Sequence, residues 1–459
     1  MNHYQNSRSG FAFENLSGNQ TRTPLRRFQV DGASGSENAF SFDGQEVTDY
    51  RTGALNISNS IPTNLIQEVQ IKTSGFEAEF GGASGGVVAV STKGGSDRWS
   101  GEFGSQFDVA KFQAQRTIAD SVFQPNALTQ RIVSVQQPKD GGVNSYPTAT
   151  LSGPIVKGRL WGLGSYSPQI FQATRDVRYL NSNPTTLTVN PAFPNPERYE
   201  AKNTFNFAFS RIDAQPIQNV RVFASFLWNP LAQEGLLPFA ANSLGGTPSS
   251  LNIGGTTFTG AALAARQGGR INQNLFTTQG TWTPNGRTVV SVRYGRGFAN
   301  QKLSSYAIPN ETRFQCVGLA SSIAYTNGSA GCARLFQNNT NNQGNTLDAN
   351  TRNTVNADIS YLVNFGGSHN FKGGYEYTRV RNTVSQGFVN TGIVALQYGR
   401  DFDFYGVGGS CAAIANCIGV GRLTRFGTEG DGTGTYNGFY LQDKWQPIRN
   451  LTLNLGVRA

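Results

Sequence analysis

The sequence predicts a mainly β chain that forms part of a transmembrane antiparallel β-barrel. Three observations predict it. From about residue 98 onward, segments of about 10 to 18 residues alternate apolar with small or polar residues, a period of two that gives a strand one apolar and one polar face. The composition suits pleated surfaces: 14% of residues are charged, and the chain holds 55 Gly, 31 Phe and 16 Tyr against one Met. The connections fall into two kinds, very short and very long, and the two kinds alternate.

The strands come in pairs. In chain order these are YPTATLSGPI with KGRLWGLGSYS; TFNFAFSRID with NVRVFASFLW around Gln215-Pro216; QNLFTTQGTWT with RTVVSVRYGRGF; NTVNADISYLVNF with HNFKGGYEYTRV; and TYNGFYLQDKW with LTLNLGV. Pro284-Asn285-Gly286 joins the third pair and is a strong hairpin signal. In the fourth pair Val355, Ala357, Ile359, Tyr361, Val363 and Phe365 share one face, and Asn356, Asp358, Ser360 and Asn364 the other. Strands of soluble sandwiches average about 5 or 6 residues, and these are two to three times longer. Aromatics gather near strand ends, at Tyr361, Phe365, Tyr440 and Trp445. Short turns are expected near residues 156, 215, 285, 367 and 448. Long connections are expected over 111–143, 177–195, 230–269, 304–348 and 386–432. Short periplasmic turns, long extracellular loops, an apolar band to lipid and a polar lumen are the outer-membrane barrel pattern. About eleven strands fit between residues 98 and 459.

Other classes find little support. No apolar run of about 18 residues exists to form a membrane helix, which says nothing about a barrel. The net charge is +10, yet the basic residues are scattered and no Lys/Arg tract marks a nucleic-acid surface. The two histidines, His3 and His369, offer neither a metal set nor a catalytic triad, so no metal or cofactor is expected. Asp43, Glu46 and Asp49 in DGQEVTD read as polar turn residues rather than an acid/base cluster, and no enzyme is expected. The four cysteines fall as two local pairs within the long connections, Cys316/Cys332 and Cys411/Cys417. They read as short-range disulfides of an oxidising compartment, with free thiols as the alternative. The opening residues, MNHYQNSRSGFAFEN, lack the basic and apolar regions of a signal peptide.

Ahead of the strands lies GGASGGVVAVSTKGGS (81–96). A phosphate-binding loop would need Gly-Lys-Ser/Thr opening a helix, whereas here a strand follows the glycines and Thr92 precedes Lys93. The wider stretch IPTNLIQEVQIKTSGFEAEFGGASGGVVAVSTKGGSD (61–97), with ENAFSFDGQEVTD (37–49), resembles the distal half of the plug of TonB-dependent outer-membrane receptors. The matching residues are Ile66 to Ile71, Gly75, Phe80-Gly81 and Gly85 to Lys93, with Ala89 where Asn is commoner. The wording around GASGSENAFSFDGQEVTD and SGFEAEFGGASGG resembles the Oar-like branch, whose members carry a carboxypeptidase-regulatory-like domain. GPIVKGRLW (153–161) and YLQDKWQPIRNLTLNLGVR (440–458) resemble barrel segments of that family.

The resemblance implies a barrel of about 22 strands around an α+β plug. About half the barrel and the distal half of the plug would be present: residues 1–97 as a partial plug domain and 98–459 as the N-terminal half of the barrel. With no signal peptide, TonB-interacting box or closing strands in view, the chain reads as a fragment. The implied function is energised uptake in the outer membrane of a Gram-negative-type bacterium. Its partners would be a TonB-type energy-transducing complex, outer-membrane lipid and an extracellular substrate, with no nucleic acid. A non-transporting surface barrel of structural or adhesive role is the alternative. By the resemblance Phe80, with Glu79 and Gly81, lies in a plug loop that can face ligand, or Phe80 is packed to hold that loop. Gly75, Gly85, Gly86 and Lys93 are the structural plug motif. Arg221, Arg293, Lys372 and Glu376, on polar strand faces, line the lumen or pair with plug and neighbouring-strand charges.

Overall fold

The computed structural model describes residues 37–48, 61–73, 77–81, 85–114, 119–126, 129–135, 139–182, 187–238, 242–244, 247–248, 250–253, 256–302, 313–318, 345–387, 393–398, 413–414, 419–424 and 427–459. The smaller of its two principal sheets holds β1 (Ala39–Phe42), β2 (Gln45–Glu46), β3 (Ile66–Lys72) and β4 (Val87–Thr92) in the order β2-β1-β4-β3. β1 and β4 run parallel and the other pairs antiparallel. Asp43-Gly44 turns β1 into β2 with both φ angles positive, 47° and 75°. A tight two-residue hairpin demands that conformation, and Asp-Gly adopts it at low cost. A side chain at Gly44 would also collide with the guanidinium of Arg293.

The larger sheet begins with β5 (Ser100–Val109). A small hairpin of β6 (Ala119–Asn126) and β7 (Thr129–Val135) precedes β8 (Val143–Val156), β9 (Leu160–Tyr166) and β10 (Gln169–Ser182). Then come β11 (Leu187–Val189), β12 (Glu197–Phe205), β13 (Ala208–Ile217), β14 (Val220–Trp228), β15 (Leu231–Glu234) and β16 (Asn242–Leu244). The hairpin β17 (Ser250–Ile253) and β18 (Thr256–Thr259) leads into the one-turn helix α1 (Gly260–Ala264). The remaining strands are β19 (Gly268–Asn285), β20 (Thr288–Lys302), β21 (Arg313–Gly318), β22 (Asn345–Asn364), β23 (Ser368–Gly387), β24 (Ile393–Tyr398), β25 (Gly419–Thr424), β26 (Gly427–Ile448) and β27 (Leu451–Arg458).

β9 and β10 are two halves of one span, as are β12 and β13, and β14 and β15. Counted so, the described residues form an antiparallel meander of eleven spans from β5 to β27, each laddered to the next. All five expected hairpins form, with turns at 157–159, 218–219, 286–287, 365–367 and 449–450. The three divided spans break side by side, at Ser167-Pro168, Asn206-Phe207 and Asn229-Pro230. Proline has no N–H for the ladder, and bonds such as Ser167 N–H to the Phe207 carbonyl (2.8 Å) bridge the gap. The long connections are not wholly irregular: they carry β6–β7, β17–β18, α1 and the three-stranded sheet β21-β24-β25. No helix of the described residues is long and apolar enough to cross a membrane.

One face of the meander is apolar and open. Phe103, Phe107, Leu151, Phe226, Ile359 and Phe439 are exposed on it. The opposite face carries the small sheet. Its lining is not uniformly small and polar, as the alternation suggested. Leu163, Phe205, Phe209, Leu227, Leu231, Ile271 and Leu275 are buried there with Phe42 and Leu65 of the small sheet. Phe42 meets Phe209 edge-on at 6.3 Å. Each such side chain contributes about 1.5–3 kcal/mol when fully buried, so this sector of the inner wall is a seat for the small sheet rather than a water-filled surface.

Candidate functional site

Two segments of the small sheet reach the inner wall. The first is the turn Asp43–Glu46. The Asp43 carboxylate accepts from Thr92 of β4, from its backbone N–H (2.8 Å) and its hydroxyl (2.7 Å). It also accepts from Ser225 of β14 (3.4 Å) and faces Arg211 of β13 at 3.6 Å. Arg211 is held by Asp213 (2.8 Å), which in turn accepts from the Gly95 N–H. Arg293 of β20 donates to the Gly44 carbonyl (3.2 Å), Gln45 to Thr354 of β22 (3.3 Å), and Arg352 of β22 pairs with Glu46 (3.3 Å). Four consecutive residues thus grip four wall strands. Glu46 and Asp43 are docking groups here, each turned to an arginine.

The second segment is 77–81. The Phe80 N–H donates to the Glu77 carbonyl (3.0 Å), folding the loop back. Lys72, at the end of β3, pairs with Glu77 (2.6 Å) and stands 4.4 Å over the Phe80 ring. A cation over an aromatic face contributes about 0.5–2 kcal/mol. Glu79 pairs with Lys372 of β23, and its N–H donates to Gln442 of β26 (3.2 Å). Arg458 of β27 donates to the carbonyls of Ala78 (3.3 Å) and Glu79 (3.0 Å) and pairs with Glu376 (2.7 Å). Its guanidinium fills the space where a Cβ on Gly81 would sit.

Burial pushes the Glu77 carboxyl up, but the Lys72 hydrogen bond, its own backbone and the charges of Lys72 and Lys444 outweigh this and hold it below its ordinary value of 4.5. A depressed carboxyl contributes its stability above the ordinary value and loses it as pH falls through the folded one. Hydrogen-exchange protection over 77–81 is therefore expected to be flat from neutral pH down to about 4.5 and to drop only below it.

Between the two segments, a cleft of about 340 Å³ opens on the inner wall, lined by Glu46, Gly81, Arg352, Glu376, Tyr436 and Arg458. Its two arginines are balanced by its two glutamates, Arg352 against Glu46 and Arg458 against Glu376. The cleft is polar without net charge.

Gly81 lines this cleft and Glu79 meets the wall, whereas Phe80 is held by Lys72 and Glu77 of its own stretch of chain. Gly85 and Gly86 lie elsewhere, where the Gly85 N–H and Gly86 carbonyl pair with Glu37 and Ala39. The Lys93 N–H donates to Leu65. Arg293 bonds to the turn of the small sheet, Lys372 pairs with Glu79 of the 77–81 segment and Glu376 pairs with Arg458 two strands away, whereas Arg221 is exposed. His369 is not a catalytic group. It stacks on Phe365 (4.2 Å) and Trp445 (5.4 Å) and meets Asp443 at 2.8 Å, on the outward face beside a turn. His3, Asp49, Gly75, Cys332, Cys411 and Cys417 lie outside the described residues, and with them both cysteine pairs; Cys316 is in β21.

A meander of long strands with an apolar outer face, aromatic ends and short turns on one side is an outer-membrane β-barrel, here a partial one. Residues 179–458 match the family model of the outer membrane beta barrel domain, and the chain belongs to that family. Its place is the outer membrane. It is similar to the TonB-dependent transporter Oar of Myxococcus xanthus, 26% identical over 495 residues, covering 94% of this chain and 42% of that protein. Among solved structures it resembles the outer membrane transporter YddB from Escherichia coli (TM-score 0.56, 13% identity, 94% of this chain and 49% of that one). It also resembles the siderophore receptor PirA from Acinetobacter baumannii (TM-score 0.54, 11% identity, the same coverage). The chain spans about half the length, or less, of these relatives. The resemblance to TonB-dependent receptors of the Oar kind thus extends over most of the chain.

Proposed function

We propose that the small sheet, within residues 1–97, is the distal part of a plug and that residues 98–459 form the first half of a TonB-dependent receptor's barrel. On this reading the whole protein takes up an extracellular substrate through plug rearrangement, powered by a TonB-type energy-transducing complex. One observation carries it: a separate small sheet is held against the inner wall at two places by ion pairs and hydrogen bonds rather than by shared strands. Contacts of that kind break and reform without disturbing the barrel ladder. A barrel of purely structural or adhesive role has no use for an inserted body that is removable. Phe80, Glu79 and Gly81 then form the loop through which ligand binding is sensed, with Lys372, Gln442 and Arg458 as its wall contacts.

Tethering tests the proposal. A Cβ built on Gly456 lies 2.9 Å from that of Ala78, closer than the roughly 3.5–4.5 Å of a disulfide, so Ala78→Cys with Gly456→Cys can form the bond once the loop gives way by a few tenths of an ångström. In cells carrying the complete receptor, solutes depleted from the medium are profiled for the wild type, a deletion strain and the oxidised tethered variant. The expected result is that one or more solutes taken up by the wild type stay in the medium for the other two, and that reductant restores their uptake. If no solute distinguishes the three strains, the barrel is not a transporter. If the tethered form transports as well as the wild type, the plug does not move at this wall.

A further inference from the structure

The charges at the two ends of the barrel strands are arranged differently. At the long-loop end cations sit against carboxylates: Arg175 with Asp140 (2.6 Å), Arg198 with Asp176 (2.8 Å) and Arg381 with Asp431 (2.7 Å). At the other end, the five short turns read Lys-Gly-Arg, Gln-Asn, Gly-Arg, Phe-Gly-Gly and Arg-Asn, with no acidic residue among them. Lys157, Arg159, Arg287 and Arg449 are exposed there, and none of their side chains joins an ion pair among the described residues. The acids closest to that end are already engaged: Asp97 accepts from the Trp161 indole (2.6 Å), Asp213 from Arg211, and Asp443 meets His369.

Aromatic rings stand just above these cations on the lipid side. Trp99 covers Gly153 on the outer face next to the Lys157–Arg159 turn. Trp282 is exposed beside the Arg287 turn. Trp445, in the stack with His369 and Phe365, lies beside the Arg449 turn and donates its indole N–H to the Gly366 carbonyl (3.1 Å). Indole rings settle at the level of lipid headgroups. The turn cations therefore lie at or just beyond the phosphate plane of the periplasmic leaflet, and no carboxylate of the described residues pairs with them.

We infer that the periplasmic rim of this barrel is a binding surface for anionic phospholipid, the headgroup phosphate being the counterion of Lys157, Arg159, Arg287 and Arg449. The four basic residues stand on three separate turns, which reach separate lipids, so the surface collects a shell of anionic headgroups. Each basic residue at an anionic membrane surface contributes enough to enrich such a lipid about fivefold over a neutral one. This inference rests on the orientation of the barrel in the membrane and not on the uptake reading, and either survives the failure of the other.

The test places the complete receptor in nanodiscs of phosphatidylethanolamine with phosphatidylglycerol and measures the lipid retained on the protein by native mass spectrometry. Phosphatidylglycerol is expected to be enriched severalfold over its bulk fraction at low salt, and less at high salt. The variant K157Q/R159Q/R287Q/R449Q is expected to retain the bulk ratio. The variant K157R/R159K/R287K/R449K, which keeps every charge, is expected to retain the enrichment. No enrichment in the wild type, as expected if the rim instead meets an acidic periplasmic protein, overturns the inference. So does enrichment that survives in the glutamine variant. If that variant fails to fold, the wild type's salt dependence and the charge-retaining variant decide the matter.

Discussion

Asp43→Ala is expected to undock the plug from the barrel wall while the wall itself stays folded. The side chain of Asp43 is 3% exposed and that of Arg211 14%. Removing the carboxylate takes two acceptor bonds from Thr92 and one from Ser225, and leaves the buried guanidinium with Asp213 as its one carboxylate partner, beside its bonds to Thr92. Breaking a buried charge pair by deleting one partner costs about 3–5 kcal/mol. The measurement is the denaturant midpoint for protease access to the plug strands, followed alongside the heat-modifiable gel shift of the barrel. The plug midpoint should fall and the gel shift remain. Asp43→Asn, which keeps the shape and some hydrogen bonding, should lie between. An unchanged plug midpoint in Asp43→Ala would show that the apolar seat around Phe42 and Phe209 carries the docking by itself.

The second large effect is expected at Arg458. Arg458→Ala removes a guanidinium that holds two loop carbonyls and the Glu376 carboxylate at once. Hydrogen bonds to charged groups are worth about 1.5–3 kcal/mol each when one partner is lost. The loss should appear locally, as collapsed hydrogen-exchange protection over 77–81 with the plug strands still protected. Arg458→Lys keeps the charge opposite Glu376 but cannot span both carbonyls, and should recover part of the protection. Equal loss of protection in the plug strands and in the loop would mean that the two docking segments act as one unit. The Asp43 and Arg458 variants together ask whether the Phe80 loop can open while the plug remains seated.

The barrel strands were legible because lipid on one side and lumen on the other impose a strict period of two. The turn residues between paired strands, such as Pro284-Asn285-Gly286, then set where each hairpin closes. The plug strands were legible from the resemblance around Gly85 to Lys93. What pattern could not show was partnership. Glu79 and Lys372 are 293 positions apart and Gln45 and Thr354 309, and no local feature of either residue names the other. The divided spans were not legible because Pro168 follows a strand pattern without a turn signal and Pro230 opens what reads as a long connection, and only the neighbouring strands show that the breaks align. The apolar inner sector was hidden for a related reason. Phe226-Leu227-Trp228 alternates with respect to lipid and plug, both of them apolar surroundings, so the period fades where the plug is seated. Asp43 read as an ordinary turn residue because its conformation is one, and its second role depends on the wall around it.

The wall and the plug obey different timetables. Each span of the meander pairs with the span before it, so the wall can grow hairpin by hairpin, with a short turn to close at every second connection and a long loop, whose closure cost rises only slowly with length, at the others. The plug turn 43–46 has no such local course. Its contacts reach β13, β14, β20 and β22, and the grip is complete only when residues up to Thr354 have been threaded into place. Contacts of such high sequence separation form late. The polar grip of the turn is therefore complete only when eight of the eleven described spans exist, whereas the apolar seat for Phe42 and Leu65, whose partners run from Leu163 to Leu275, is present from the sixth.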